Sequence, residues 1–201
     1  MPVKKKSKDA PARHLGEALR EKRESLGISL RTLAARLDFS PSFISQVENG
    51  LASPSIGSLE KIAGALEMSL AELFRPSGSH TKSGIVRSSE RPAIRSEWSQ
   101  AEIESLLSRH DVQLEPMLVK LAPGGSSGKH PHASAREQFA YIVAGAVTLT
   151  LDGVDQVLKK GDAVSIPAAA AVRWQNHARS ATQILIVSQA VKIFPSGKNS
   201  K

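Results

Sequence analysis

The sequence contains no cysteine. Disulfide staples and thiolate metal centres are therefore excluded, and the composition suits a reducing cytoplasm. No apolar run approaches the ~20 residues that a membrane-spanning helix requires, so no membrane partner is expected. Residues 1–8 are basic, but no apolar stretch follows them, which argues against a secretory leader. Positive charge is also scarce in residues 14–74, although the net charge of the chain is +8. Residues 14–74 hold six basic and eight acidic side chains. The preceding segment, 1–13, carries Lys4, Lys5, Lys6, Lys8 and Arg13 against Asp9 alone. A polyanion could thus be met only by a small face of the first domain, helped by the basic tail. The same tail also reads as a solubilising terminus.

What is present fits one large or two small globular domains: 201 residues, 40% hydrophobic and 23% charged. Residues 14–74 read as five helices separated by short turns. Leu15, Ala18, Leu19 and Leu26 fall near one face of the first, which Gly27 ends. Ser29 caps a second helix bearing Leu30, Leu33, Ala34 and Leu37. After a turn at Asp38-Phe39, Ser40 caps a third helix with Pro41 at its first position, running to Asn49-Gly50. The fourth carries Ile56, Leu59, Ile62, Ala63 and Leu66, and Ser69 caps a short fifth with Leu70, Leu73 and Phe74.

Residues 75–91, rich in Ser, Gly, Pro and charge, read as a linker or a linker plus an edge strand. Beyond them the period changes to short strands near 118–121, 141–143, 147–151, 156–158, 163–166, 172–175 and 183–188, with Asp152-Gly153 as a hairpin turn. Residues 99–108 fit a helical turn or a strand equally. This pattern predicts a sandwich or barrel over 92–191, with its core at 114–189 and a tail at 192–201.

The second and third helices have the spacing of a helix-turn-helix, and polar residues sit where the third could reach base edges. Gln46 is suited to two-pronged pairing with adenine, Phe43 to a thymine methyl, and Arg31 to a phosphate. The run Ser42-Phe43-Ile44-Ser45-Gln46-Val47-Glu48-Asn49-Gly50, followed by Pro54-Ser55, resembles the lambda-repressor/Cro-like, or xenobiotic-response-element, family. The resemblance implies double-stranded DNA as partner and a DNA face built from Arg31, Thr32, Ser40, Ser42, Phe43, Ser45, Gln46 and Asn49. Glu48 is expected to order the helix end or to pair with a basic neighbour.

His130-Pro131-His132 places two imidazoles two residues apart, which on a strand aims both the same way. With Gly124 before and Gly145 after, these residues resemble the first cupin motif; Gly161, Pro167 and Asn176 resemble the second. The departures are specific. The position of the family's glutamate falls on Gln138 when counted from Gly145 and on Glu137 when counted from His132; the strand ruler favours Gln138. The histidine of the second motif is Val172, and its glycine is Ala169. His177 offers a replacement ligand, but in a turn. The expected pocket is His130, His132, Gln138, Val172 and Trp174, with Trp174 either core or a platform for a ligand. His130, His132 and Gln138 form at most a degenerate site for a weakly held divalent metal. No catalytic residue and no other cofactor are expected.

The whole chain resembles regulators that join a Cro-like domain to a cupin. That resemblance implies a cytoplasmic, homodimeric transcription regulator, repressor or activator, which binds a palindromic operator and senses a small-molecule effector. Two other readings remain open at this point: a metal-dependent cupin enzyme fused to a DNA-binding domain, and an adaptor that binds protein instead of DNA.

Overall fold

The computed structural model describes residues 10–74, 84–107 and 113–189. Four α-helices lead: α1 (Ala10–Ser25), α2 (Leu30–Leu37), α3 (Pro41–Glu48) and α4 (Ile56–Ala65). Three of them begin on serine caps. The hydroxyls of Ser29, Ser40 and Ser55 accept from the backbone N–H of Thr32 (3.0 Å), Phe43 (3.1 Å) and Ser58 (3.0 Å). Each such cap contributes about 1 kcal/mol. Leu19, Leu33, Ile44, Leu59, Ile62 and Leu66 are fully buried among these helices.

Two expectations change here. The fifth helix is a single 3-10 turn, Ala71–Phe74. It opens on a reciprocal cap, with Ser69 Oγ accepting from Glu72 N–H and the Glu72 carboxylate accepting from Ser69 N–H. The basic tail was expected to run to residue 13, yet α1 begins at Ala10. The rest of that tail, most of the linker and the C-terminal tail lie outside the described residues.

Ten strands follow: β1 (Ala93–Ser96), β2 (Ala101–Ser105), β3 (Leu114–Leu121), β4 (His132–Ala133), β5 (Gln138–Ala144), β6 (Ala146–Leu151), β7 (Val154–Lys159), β8 (Ala163–Ile166), β9 (Ala171–Gln175) and β10 (Thr182–Gln189). The ambiguous stretch near residue 100 is strand β2. One sheet runs β1-β2-β3-β10-β5-β8 and the other β4-β9-β6-β7, and every pairing is antiparallel. Asp152 (φ 48°) and Gly153 (φ 82°) make the tight hairpin between β6 and β7. Strand β5 alternates: Gln138, Ala140 and Ile142 are buried, while Phe139, Tyr141 and Val143 are exposed. The inner faces close over Ala140, Ile142, Leu149, Ile166, Trp174 and Ile184.

The helical half sits on the barrel through the loop before α4 and the first turns of α4. Gly57 N–H donates to Ser127 O (2.9 Å). Ser53 Oγ donates to Arg95 O (2.8 Å), and the Trp98 indole donates to Ser53 O (2.9 Å).

Candidate functional site

The DNA-facing candidates share one surface, but their side chains are not equally free. Arg31, Thr32, Ser42 and Gln46 are exposed along α2 and α3. The Ser40 hydroxyl is occupied as the α3 cap. Thr32 Oγ1 shares a 2.8 Å hydrogen bond with Ser29 Oγ. Asn49 Nδ2 donates to Ser45 O (2.7 Å) and more weakly to Ser45 Oγ (3.4 Å), so both residues finish the helix. Phe43, expected as an exposed aromatic, is half-buried and packs edge-on against Phe39 with ring centroids 5.0 Å apart. Its apolar ring gains more from this partner than from water. Ser42, Gln46 and Arg31 therefore project most freely.

A buried ion pair fixes the angle of α3. Glu48 Oε1 and Oε2 accept from Arg23 Nε (2.7 Å) and Nη2 (2.9 Å), and Arg23 Nη1 donates to Ile28 O (2.9 Å). The Glu48 hydrogen bond raises the Arg23 pKa further, against the lowering effect of burial. Sequence reasoning anticipated a basic partner for Glu48 but not its identity, because Arg23 lies 25 residues away on α1.

At the other face, α4 meets the mouth of the barrel. His132 is buried on β4, directly opposite Val172 of β9, the position at which the second motif lacks its histidine. Its Nε2 lies against Glu60 Oε2 of α4, and Gln138 Nε2 donates to Glu60 Oε1 (3.2 Å). Burial would raise the Glu60 carboxyl. The charge and hydrogen bond of His132, the Gln138 hydrogen bond and the charge of Arg136 outweigh it and leave Glu60 below the usual carboxylate range. Gly57 is the close-approach point: a methyl group there would stand 2.6 Å from His132 Nδ1. That nitrogen is buried without a hydrogen-bond partner.

A cleft of about 670 Å³ opens beside this contact. Leu37, Ala63, Met68 and Leu70 line it from the helical half, and Met117, Ala133, Arg136, Gln138 and Ser188 line it from the barrel, with Glu60 in its wall. Arg136 Nη1 donates to Glu115 Oε2 (3.2 Å) and to Gln189 O (2.6 Å). Burial pushes the Glu115 carboxyl up, against the hydrogen bond from Ser69 and the Arg136 charge.

The pocket inferred from sequence is only partly assembled. His132 and Gln138 come together; Glu137 is exposed on the opposite face. His130 is exposed in the turn before β4, because the strand begins only at His132, so the two imidazoles do not share a direction. Trp174 is buried in the barrel core, its backbone paired with Ser127. His177 is exposed, while the neighbouring Asn176 Nδ2 donates to Leu121 O, Ala122 O and Ser180 O. Ala169 keeps the left-handed backbone of the glycine it replaces (φ 65°).

This donor set does not fit a resident divalent metal. Val172 has no ligand atom, His130 points elsewhere, and Glu60 already engages His132 and Gln138. Among the described residues no three His, Asp or Glu side chains gather at one point. Glu60 and Gly57 were missed from sequence because Glu60 reads as part of the solvated face of α4. A glycine near the start of an otherwise good helix was the one available signal of close approach.

Residues 19–73 match the helix-turn-helix family, and residues 117–188 match the cupin domain family. The HTH-type transcriptional regulator SutR of Escherichia coli is 28% identical over 159 residues, covering 78% of this chain and 84% of that one. An uncharacterised HTH-type transcriptional regulator of Mycobacterium tuberculosis is 38% identical over 80 residues, 40% of this chain and 53% of that one. The crystal structure of an HTH_3-family transcriptional regulator from Vibrio cholerae shares the fold, with a TM-score of 0.69 at 19% identity, over 91% of this chain and 98% of that one. The chain thus carries a helix-turn-helix domain followed by a cupin domain, and the relatives it resembles are named as HTH-type transcriptional regulators. No helix among the described residues is long and apolar enough to cross a membrane.

Proposed function

We propose that this regulator works as a homodimer on a palindromic operator and that its cupin half admits a small-molecule effector without turning it over. The observation that carries the reading is the division of the helical domain into two faces. Ser42 and Gln46 of α3 are open to solvent, whereas α4 is engaged by the barrel. Gln46 and Ser42 would meet base edges, and Arg31 a phosphate. Ser45, Asn49, Ser40 and Thr32 would shape that surface from behind, and Phe43 would hold it on Phe39.

Dimerisation is assigned to the outer face of the larger sheet. Phe139, Tyr141 and Val143 of β5 are exposed there, beside half-buried Leu185 and Val187 of β10. Two-fold pairing would set the α3 helices about one helical turn of DNA apart, roughly 34 Å. An effector preferring one placement of the helical domains by about 1–3 kcal/mol would switch occupancy. Catalysis is disfavoured by Val172 and by the outward His130, which deprive the barrel of the ligands a metal-dependent reaction needs.

Footprinting on DNA upstream of the chain's own gene, paired with sedimentation of the complex, tests this reading. Two protected half-sites one turn apart under a dimer are expected. Protection of a single half-site by a monomer, or none at low salt, would refute it.

A further inference from the structure

The barrel mouth holds a carboxylate that does not belong to the barrel. His132 Nε2 and Gln138 Nε2 both address Glu60, and Arg136 adds positive potential from the loop after β4. Glu137 is exposed, and the barrel carboxylate Glu115 is committed to Arg136. By its chemistry this is an acid-receptor site. Its occupant arrives on α4, so filling the site and docking the helical domain are one event.

The docked state is also imperfect. His132 Nδ1 faces the Gly57 backbone, buried and without a partner. An unpaired buried nitrogen penalises docking, and any state that reopens it to water or to a ligand relieves that penalty. The cleft beside Glu60 is mainly apolar, with Leu37, Met68, Leu70 and Met117 in its walls, and Gln138 belongs to both the cleft and the acid contact.

We propose that Glu60 is a tethered ligand, which a small carboxylic acid with an apolar body displaces from His132 and Gln138 to free α4 from the barrel. The proposal rests on the effector-sensing reading above and specifies the effector's chemical class. The acid's carboxylate takes the two donors, its body fills the cleft, and the helical domain loses one of its polar anchors on the barrel. Since Ser42 and Gln46 are already exposed, release alters where α3 is held and does not unmask it.

The test uses the full chain, calorimetry and hydrogen exchange of the segment 53–65. Acetate, hexanoate and benzoate are the probes, with hexanol and benzyl alcohol as uncharged counterparts. Glu60→Ala should bind hexanoate or benzoate at least tenfold more tightly than the parent, since the internal competitor is gone, and its α4 amides should exchange faster. The alcohols should gain nothing. Gly57→Ala, which expels α4 by steric conflict with His132, should show the same gain, and Glu60→Ala/His132→Ala should lose it. Equal or weaker acid binding in Glu60→Ala overturns the proposal, as does Zn²⁺ binding that requires Glu60. Failure of all three acids in that variant rejects the acid receptor and leaves the sensor reading intact. Tighter acid binding without any acid effect on the parent's DNA affinity upholds the tethered ligand and rejects the sensor reading.

Discussion

Glu60 of α4 and His132 of β4 lie 72 positions apart in sequence and touch at the boundary between the two domains. Through this contact the DNA-binding half is held by the very strand that carries the cupin motif. Coupling between a ligand in the barrel and the position of α3 can pass through α4 directly, without relying on residues 75–91.

Gly57→Ala should break that docking. The added methyl group meets the His132 ring, with 2.6 Å to Nδ1, and overpacking of this kind costs about 1–3 kcal/mol. Calorimetry of the variant is expected to show separate helical and barrel transitions in place of the parent's joint unfolding. A single transition at the parent's temperature would show that the ring simply yields.

Acid should loosen the same contact. Glu60 has a folded pKa below the ordinary 4.5. Its stabilisation is therefore complete above that value and disappears as pH falls through the lowered one. His132 and Arg136 are the charged or titratable groups facing it, with Glu115 behind Arg136. Thermal stability of the parent should fall more steeply than that of Glu60→Gln as the pH drops below the ordinary carboxylate range. Parallel profiles would mean that Glu60 carries no linkage.

The Arg23–Glu48 pair makes a prediction about the other face. Removing one partner leaves a buried charge alone, so Glu48→Ala should destabilise by about 3 kcal/mol. Replacing both with apolar residues, Arg23→Met with Glu48→Leu, should cost much less. Denaturant unfolding of the three proteins checks this. Equal losses in the single and double variants would contradict a charge-burial origin.

Ala169 holds φ at 65°, a conformation that disfavours a β-carbon by about 1 kcal/mol or more. Ala169→Gly should raise stability by about that amount, less the entropy that glycine restores to the unfolded chain. A clear loss of stability in the same unfolding assay would show that the methyl group packs usefully.

Much of this architecture was legible because its signals are local. Ser29 and Ser40 act on amides three residues away. Asp152-Gly153 dictates its own turn, and the alternation of Gln138 with Phe139 told inside from outside. The inward choice of Gln138 over Glu137 came from its fixed spacing to Gly145 along one strand. What escaped depends on pairs distant in sequence. Nothing near Glu60 announces His132, nothing near Glu48 announces Arg23, and Phe43 looked free only because the packing of Phe39 was invisible. His130 was misjudged for a local reason: the strand starts two residues later than the motif spacing implies.

The central claim is that α3 reads DNA sequence through side chains left free by the fold, and Gln46 is the sharpest probe of it. Fluorescence anisotropy should compare the parent and Gln46→Ala on the footprinted operator and on random DNA at one salt concentration. The account predicts a loss of about 1–3 kcal/mol on the operator and little change on random DNA. Equal losses on both, or a parent that never distinguishes the two, would contradict it.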